Sequence, residues 1–271
     1  MAASKKPSVN TIDILELERG RVEFCLLGLT PTITNRLPEK AKRELFMPAR
    51  KTSNNKKMGL KHDPFEEFWC SPYTLRDDSD PTYLAALNSQ FKGMLCGAAL
   101  DTDGVAKTQM KRSITVLGNR LPLYGKPEFL MSVVTQSGQN RAPDIRTRLI
   151  IPEWACRVVV EFSKPLFNAK SISNLMGAAG QTQGLGEWRV EKGGDYGQFK
   201  IVDPGDANFK RIMKIGRKEQ IAAMMNPSYH DEETEELMVW AIEEAENRGE
   251  KLKTPADCAR SRGLKMIRRA A

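Results

Sequence analysis

Between positions 184 and 197 the chain reads Gly184-Leu185-Gly186-Glu187-Trp188-Arg189-Val190-Glu191-Lys192-Gly193-Gly194-Asp195-Tyr196-Gly197. Glycines this dense strip side chains from the backbone, so its N–H groups can approach an anion closely. Arg189 and Lys192 add charge-assisted contacts to phosphate, and Trp188 and Tyr196 offer faces on which any base can stack. The same residues also suit a twisted β-hairpin whose glycines serve only its turns and whose Trp188 is buried. No Gly-Lys-Ser/Thr follows, so the loop is not a P-loop. No helix follows either, so it is not a dinucleotide fingerprint. Contact with nucleic acid, centred on Gly184, Gly186, Trp188, Arg189, Lys192 and Tyr196, is the functional reading that stands beside the plain hairpin.

Two further cationic groups accompany the loop. Segment 36–62 carries nine Lys or Arg against two acids, among them Arg50, Lys51, Lys56, Lys57 and Lys61. Its Pro, Ser, Asn and Gly content and lack of an apolar period read as a flexible basic insertion. Such a segment can track a phosphate backbone and release counterions, or can simply be solvated. In the middle of the chain, Lys92, Lys107, Lys111, Arg112, Arg120, Arg141, Arg146 and Arg148 are mostly unmatched by neighbouring acids. A face combining them with Arg189 would make a groove, whereas scattered they are ordinary surface charge.

Catalytic constellations are weak. His62 and His230 are the two histidines, and a nuclease can use a histidine as general base, but neither has an evident partner set. Asp101 and Asp103, near Asp77, Asp78 and Asp80, can bind a metal or can cap turns. The five cysteines, Cys25, Cys70, Cys96, Cys156 and Cys258, are scattered with no Cys-x-x-Cys spacing. Reduced cysteines in a cytoplasmic protein are expected, without a zinc site, disulfide framework or cofactor.

The elements that must position these residues follow from periodicity. Residues 21–29 read as a largely buried strand. Residues 80–100 read as a helix with Asp80 as N-cap, Pro81 in its first turn and Leu84, Leu87, Phe91, Leu95 and Ala98 on one face, Lys92 lying off that stripe. Residues 112–123 read as extended, with Gly118-Asn119 able to turn a hairpin. Residues 156–162 alternate as a strand, and 168–180 form a helix with Ile172, Leu175, Met176 and Ala179 inward and Gly180 at its C-cap. The strand 198–202 closes the unit. Strand-helix-strand twice over is an α+β, ferredoxin-like βαββαβ core. Residues 1–202 would be that core, and 203–271 a helical C-terminal extension. Within the extension, Leu237, Met238, Ala241, Ile242 and Ala245 form a stripe. Residues 231–246 hold eight acids and no base, and 248–269 eight bases and two acids. That segregation suggests separate surfaces, including pairing between subunits.

A chain of 271 residues, 40% hydrophobic and 28% charged, suits one large soluble domain or a domain with additions. No apolar run approaches a membrane span, and the N-terminus has no signal-like apolar segment. Net charge +8 and a pI near 9.2 permit nucleic-acid binding.

The order Asp63-Pro64-Phe65-Glu66-Glu67-Phe68, Phe91-Lys92, Ile151-Pro152-Glu153-Trp154, Gly184-Leu185-Gly186-Glu187-Trp188-Arg189, Tyr196-Gly197-Gln198-Phe199 resembles a family of uncharacterised bacteriophage proteins over about half the chain. That resemblance implies a phage origin and a location in the bacterial host's cytoplasm, and supplies no activity. The helix, glycine loop and final strand are more distantly similar to the RAMP superfamily of CRISPR backbone and processing proteins. That similarity implies a ferredoxin-like fold with the glycine loop lying against RNA. Asn88-Ser89-Gln90-Phe91-Lys92-Gly93 resembles a segment of the same superfamily, whereas Tyr196-Gly197-Gln198 departs from its second G-x-G. The expectation is a non-catalytic protein that binds single-stranded DNA or RNA by its backbone, as a homo-oligomer. A RAMP-like endoribonuclease, or an interaction protein for a host or phage factor, are the alternatives.

Overall fold

The structure is a computed structural model that describes residues 16–37, 61–101, 106–135 and 142–264, the side chain of Asp101 excepted. Its backbone is mixed α+β with antiparallel sheets. The spine is one long pair: β1 (Glu18–Gly28) runs antiparallel to β9 (Ala155–Lys164), in register from Glu18 opposite Lys164 to Leu27 opposite Ala155. Alternation fixes what each face does. Phe24 and Leu26, with Cys156, Val158, Val160 and Phe162, face the main core. Cys25, Leu27 and Ala155 face the other way and are covered by Phe209 and Ile212 of α5 (Ala207–Ile212).

β10 (Phe199–Val202) pairs with the free edge of β1, and β5 (Ile114–Val116) with that of β9. The order β10-β1-β9-β5 is antiparallel throughout. Two helices that touch each other pack against this unit: α2 (Asn88–Ala98), between β1 and β5 in the chain, and α4 (Ala169–Thr182), between β9 and β10. Asn168 caps α4 by accepting from the Ser171 N–H at 2.8 Å. Its buried stripe is Ile172, Leu175, Met176 and Ala179, as the spacing predicts. Gly180, expected at the cap, instead lies inside the helix. A Cβ there would overlap the carbonyl of Phe199, so the glycine serves the close approach of α4 to β10.

Two other expectations change. Residues 80–100 are not one helix, since β4 (Leu84–Leu87) precedes α2. Asp80 accepts from the Asp77 N–H in a turn, and α2 begins where the Gln90 side chain accepts from the Leu87 N–H. Sheet pairing of Leu84–Leu87 with β6 (Arg120–Tyr124) outweighs the helical period. Nor do residues 112–123 form a hairpin. α3 (Lys107–Ser113) leads into β5, and both β5 and β6 pair with β9. The turn at Gly118, with φ 83°, bulges the chain sideways so that β6 also reaches β4, beyond which lies β3 (Tyr73–Thr74).

At its far end the spine kinks and continues as a second sheet. β2 (Thr32–Thr34) follows β1, β8 (Pro143–Ile151) precedes β9, and β7 (Glu128–Thr135) completes the order β2-β8-β7. Phe129, Met131, Leu149 and Ile151 point into the main core, where α1 (Pro64–Cys70) packs along β8. Ile33, Leu130 and Ile150 point outward. The C-terminal helices α6 (Arg217–Met225), α7 (Glu232–Asn247) and α8 (Pro255–Ser261) contribute Met224, Met238, Cys258 and Ala259 to the same core as Phe24. No described helix is long and apolar enough to cross a membrane.

Gln220 of α6 ties this arrangement together. It is fully buried, accepts from the N–H groups of Tyr83 and Leu84 (2.9 and 3.0 Å), and donates to the carbonyls of Leu123 and Gly125 (2.8 and 3.1 Å). Truncating it leaves buried backbone groups unpaired on two strands. Gln220→Ala is expected to lower stability by about 3 kcal/mol in urea unfolding; a loss below about 1 kcal/mol would show that water substitutes for the amide.

Candidate nucleic-acid interface

The glycine loop sits in the fork where the spine divides into two sheets. Its path is set by its own backbone. Gly197 N–H donates to Pro31 O (2.8 Å), Glu187 N–H to Ile33 O (2.9 Å) and Leu185 N–H to Gly197 O (2.8 Å). Tyr196 N–H donates to Trp188 O, and Lys192 and Gly194 N–H groups to Arg189 O. Most of the N–H groups expected to cradle phosphate are therefore used internally. Gly184 and Gly186 adopt φ of 73° and 93°, and a Cβ on Gly186 would overlap Ile33 O. These glycines permit the close packing that builds the loop.

What the loop presents is an indole. Among the described residues Trp188 is the one non-glycine with positive φ, 50°. For a bulky residue that conformation costs about 1–2 kcal/mol. It holds the side chain at the surface, 40% exposed, where burial was the competing expectation. The Arg148 guanidinium lies 5.4 Å from the indole centroid, and the Tyr196 ring 6.3 Å away, tilted by 33°. Tyr196 itself rests on the outward cluster of Ile33, Leu130 and Ile150.

Arg148 is not a surface cation. It is 4% exposed, and its Nη2 donates to Glu187 Oε1 at 3.3 Å. Its Nε is 2.5 Å from Oε2 yet out of hydrogen-bond alignment, and Nη1 has no hydrogen-bond acceptor. Burial pulls its pKa down, with the Glu187 carboxylate opposing. Its role is to brace Glu187 and the back of Trp188. Arg189 is likewise engaged: Nη2 and Nε donate to Glu191 at 2.7 and 2.9 Å, and Nη1 to Gly186 O at 3.2 Å. Lys192, 61% exposed, lies 3.6 Å from Glu191. With Glu187, Glu191 and Asp195 set against Arg148, Arg189 and Lys192, the loop is near neutrality.

Unpaired positive charge lies elsewhere. Arg146, two residues from Arg148 on the same face of β8, is exposed. Lys92, Lys107 and Lys111 gather around Cys96 on α2 and α3, with Arg112 exposed next to them. None of these five forms an ion pair with a described residue. Gly97 joins this group to the loop, since a Cβ on it would overlap the side chain of Gln183, the residue preceding Gly184. Arg120 donates instead to the Thr74 carbonyl. Arg50, Lys51, Lys56, Lys57, Asp103 and Arg141 lie outside the described residues, as does the Asp101 side chain. Lys61 pairs with Asp144.

The histidines hold structural posts. His62 Nδ1 is 2.6 Å from Glu67, and Nε2 is 3.1 Å from Asp144. A ring held by carboxylates at both nitrogens favours the imidazolium, with the Glu67 hydrogen bond leading the rise in pKa against burial. It is a poor general base. Glu67 also accepts from the Thr147 N–H at 3.3 Å, so this triad seals α1 to the edge of β8. His230 Nδ1 is 2.8 Å from Glu128. No three described His, Cys, Asp or Glu side chains are grouped to hold a metal ion. Sequence reasoning missed the neighbouring network in which Glu66 binds Lys253 and Arg262 at 3.0 Å each. Burial raises the Glu66 pKa, but these cations outweigh it and bring the carboxyl to about 2.

No family model and no curated protein matches the chain, so the bacteriophage resemblance finds no counterpart there. Among solved structures, the chain is similar to a chain in the cryo-EM structure of the type III-B Cmr-beta bound to cognate target RNA, at 13% identity and a TM-score of 0.37. The alignment covers 68% of this chain and 59% of that one, less than two thirds of the neighbour's length.

The His62 geometry has a pH signature. Its folded-state pKa exceeds its unfolded value, so its stabilisation is complete below about pH 6.5 and is lost as pH rises through the folded value. Unfolding midpoints should fall from pH 6 toward pH 8, and His62→Gln should flatten that slope. An equal slope in the variant would assign the effect to another group.

Proposed function

We propose that this protein binds single-stranded nucleic acid without catalysing its cleavage, with Trp188 as a stacking platform. The observation that carries this reading is the indole itself: a bulky residue in the left-handed region, half exposed, backed by a buried guanidinium. Backbone strain kept at a surface aromatic argues for a role there. Stacking accepts any base, so little sequence preference is expected. Tyr196 extends the platform. Gly184 and Gly186 shape it. Arg146, Arg189 and Lys192 flank it, and Lys92, Lys107, Lys111 and Arg112 continue the track for the phosphate backbone beyond Gln183 and Gly97. The basic segment 36–62 would add further phosphate contacts. The order β10-β1-β9-β5 with α2 and α4 supports reading the core as ferredoxin-like, with the C-terminal helices as an extension. A bacteriophage origin and action in the cytoplasm of its bacterial host belong to the same proposal.

The test is fluorescence anisotropy with labelled single-stranded DNA, single-stranded RNA and duplex DNA across a salt series. Trp188→Ala should cost about 1–3 kcal/mol of affinity for single strands. Lys111→Ala and Lys192→Ala should weaken binding uniformly across sequences and each flatten the salt slope by up to about one unit. Undiminished affinity in Trp188→Ala would sink the platform; absence of binding to all three ligands at low salt would sink the reading as a whole.

A further inference from the structure

The outer face of α7 carries an apolar centre inside an acidic ring. Thr234, Met238 and Ala245 turn inward and are buried. The opposite side presents Val239 and Trp240, 50% and 53% exposed, in a shallow depression lined also by Glu232, Glu235, Glu236 and Glu243. None of these carboxylates is ion-paired to a described residue. No basic residue lies in α7, so nothing on the helix itself neutralises the ring. An exposed tryptophan amid unneutralised charge of one sign is the make-up of a docking surface.

We propose that this face receives the segment 265–271, Lys265-Met266-Ile267-Arg268-Arg269-Ala270-Ala271, of a second copy of the chain. The complementarity is on both counts. The segment has three cations and no acid, against the four glutamates. Met266 and Ile267 supply the apolar partner for Val239 and Trp240. Arginine over indole is a contact this chain already makes twice, at Arg148 with Trp188 and at Arg262 with Trp69.

Reach argues for the second copy rather than the segment's own chain. Leu264 packs against the main core, as does Met238 on the inward side of α7. To reach Trp240, the segment of the same chain would have to pass around the helix. Half the circumference of a helix of about 11 Å diameter is roughly 17 Å. At about 3.4 Å per residue that consumes about five residues of the segment before any contact is made. A neighbour's segment can instead lie along the face with every residue engaged. Face and segment are different surfaces, so the contact is head-to-tail and joins copies in an open row.

The test uses sedimentation velocity on the full chain, freed of nucleic acid, so its outcome is independent of the nucleic-acid reading. At about 50 mM salt the protein should show concentration-dependent assembly that dissolves at about 500 mM. Trp240→Ala, the pair Glu236→Lys/Glu243→Lys and the pair Arg268→Glu/Arg269→Glu should each weaken self-association at least about tenfold. Mixing the two charge-reversed proteins sets each reversed surface against its opposite, and the unmutated face against the unmutated segment, so the mixture should regain the assembly that each variant alone has lost. A wild-type chain that stays monomeric at both salt concentrations overturns the proposal. So does undiminished assembly of Arg268→Glu/Arg269→Glu, which would place another basic surface on α7. Failure of the two variants to co-assemble would place the segment on its own chain and equally overturn it.

Discussion

The pairing of β1 with β9 is the constraint on which the rest depends. The two strands are far apart in sequence, one face is buried along the pair and the other is covered at the Cys25, Leu27 and Ala155 end, so a one-residue slip would turn Phe24, Val158 and Val160 out of the core and bring Arg21, Glu23 and Arg157 into it. Glycines at either end of β1 hold the register. A Cβ on Gly20 would overlap the Phe162 ring, and one on Gly28 the Trp154 indole. Trp154 in turn is fully buried and donates its Nε1–H to Thr30 O at 2.9 Å. That indole sits where the spine kinks, and past it the same two chain segments pair again as β2 and β8.

The kink makes the fork that holds the loop. Pro31 O and Ile33 O, carbonyls at the start of the second sheet, accept the Gly197 and Glu187 N–H groups. Thr32 Oγ1 donates to Leu185 O at 2.9 Å. The loop is thus fastened at several points by backbone bonds, and a rigid loop can keep Trp188 in an unfavourable conformation. Its charge is nearly balanced, so most of the affinity for a polyanion would have to come from Arg146 and the cluster on α2 and α3, with Lys192 adding to them. The exposed indole and the unpaired cations occupy adjoining parts of the surface.

A second system of interactions closes the molecule around α1. Its acidic residues face different partners: Glu67 binds His62 and the β8 edge, and Glu66 binds Lys253 and Arg262 beside the C-terminal helix α8. Cys70 and Cys258 both donate to Glu66, and burial is the leading cause that pushes the Cys258 thiol to about 12, which leaves it unreactive. With Gln220, these contacts join the last helices to the strands through polar groups that are satisfied, and it is satisfaction that makes buried polarity tolerable.

A run of β-forming residues marked β1, alternation marked β9, and helical spacing marked the buried stripe of α4, because each of these patterns is set by local sequence. Asn168, where that helical stretch begins, caps α4 for an equally local reason. The loop's composition likewise singled out Trp188, Tyr196 and Arg189. Only the tertiary structure decided what each does. Leu84–Leu87 became a strand because β6 was there to pair with it. Arg148, Arg189 and His62 proved to be bound by Glu187, Glu191, Glu67 and Asp144, contacts between residues up to 82 positions apart. Local sequence sets dihedral preferences and periodicity; whether a cation is free or spent depends on which carboxylate the fold brings beside it, and that is a property of the packed chain.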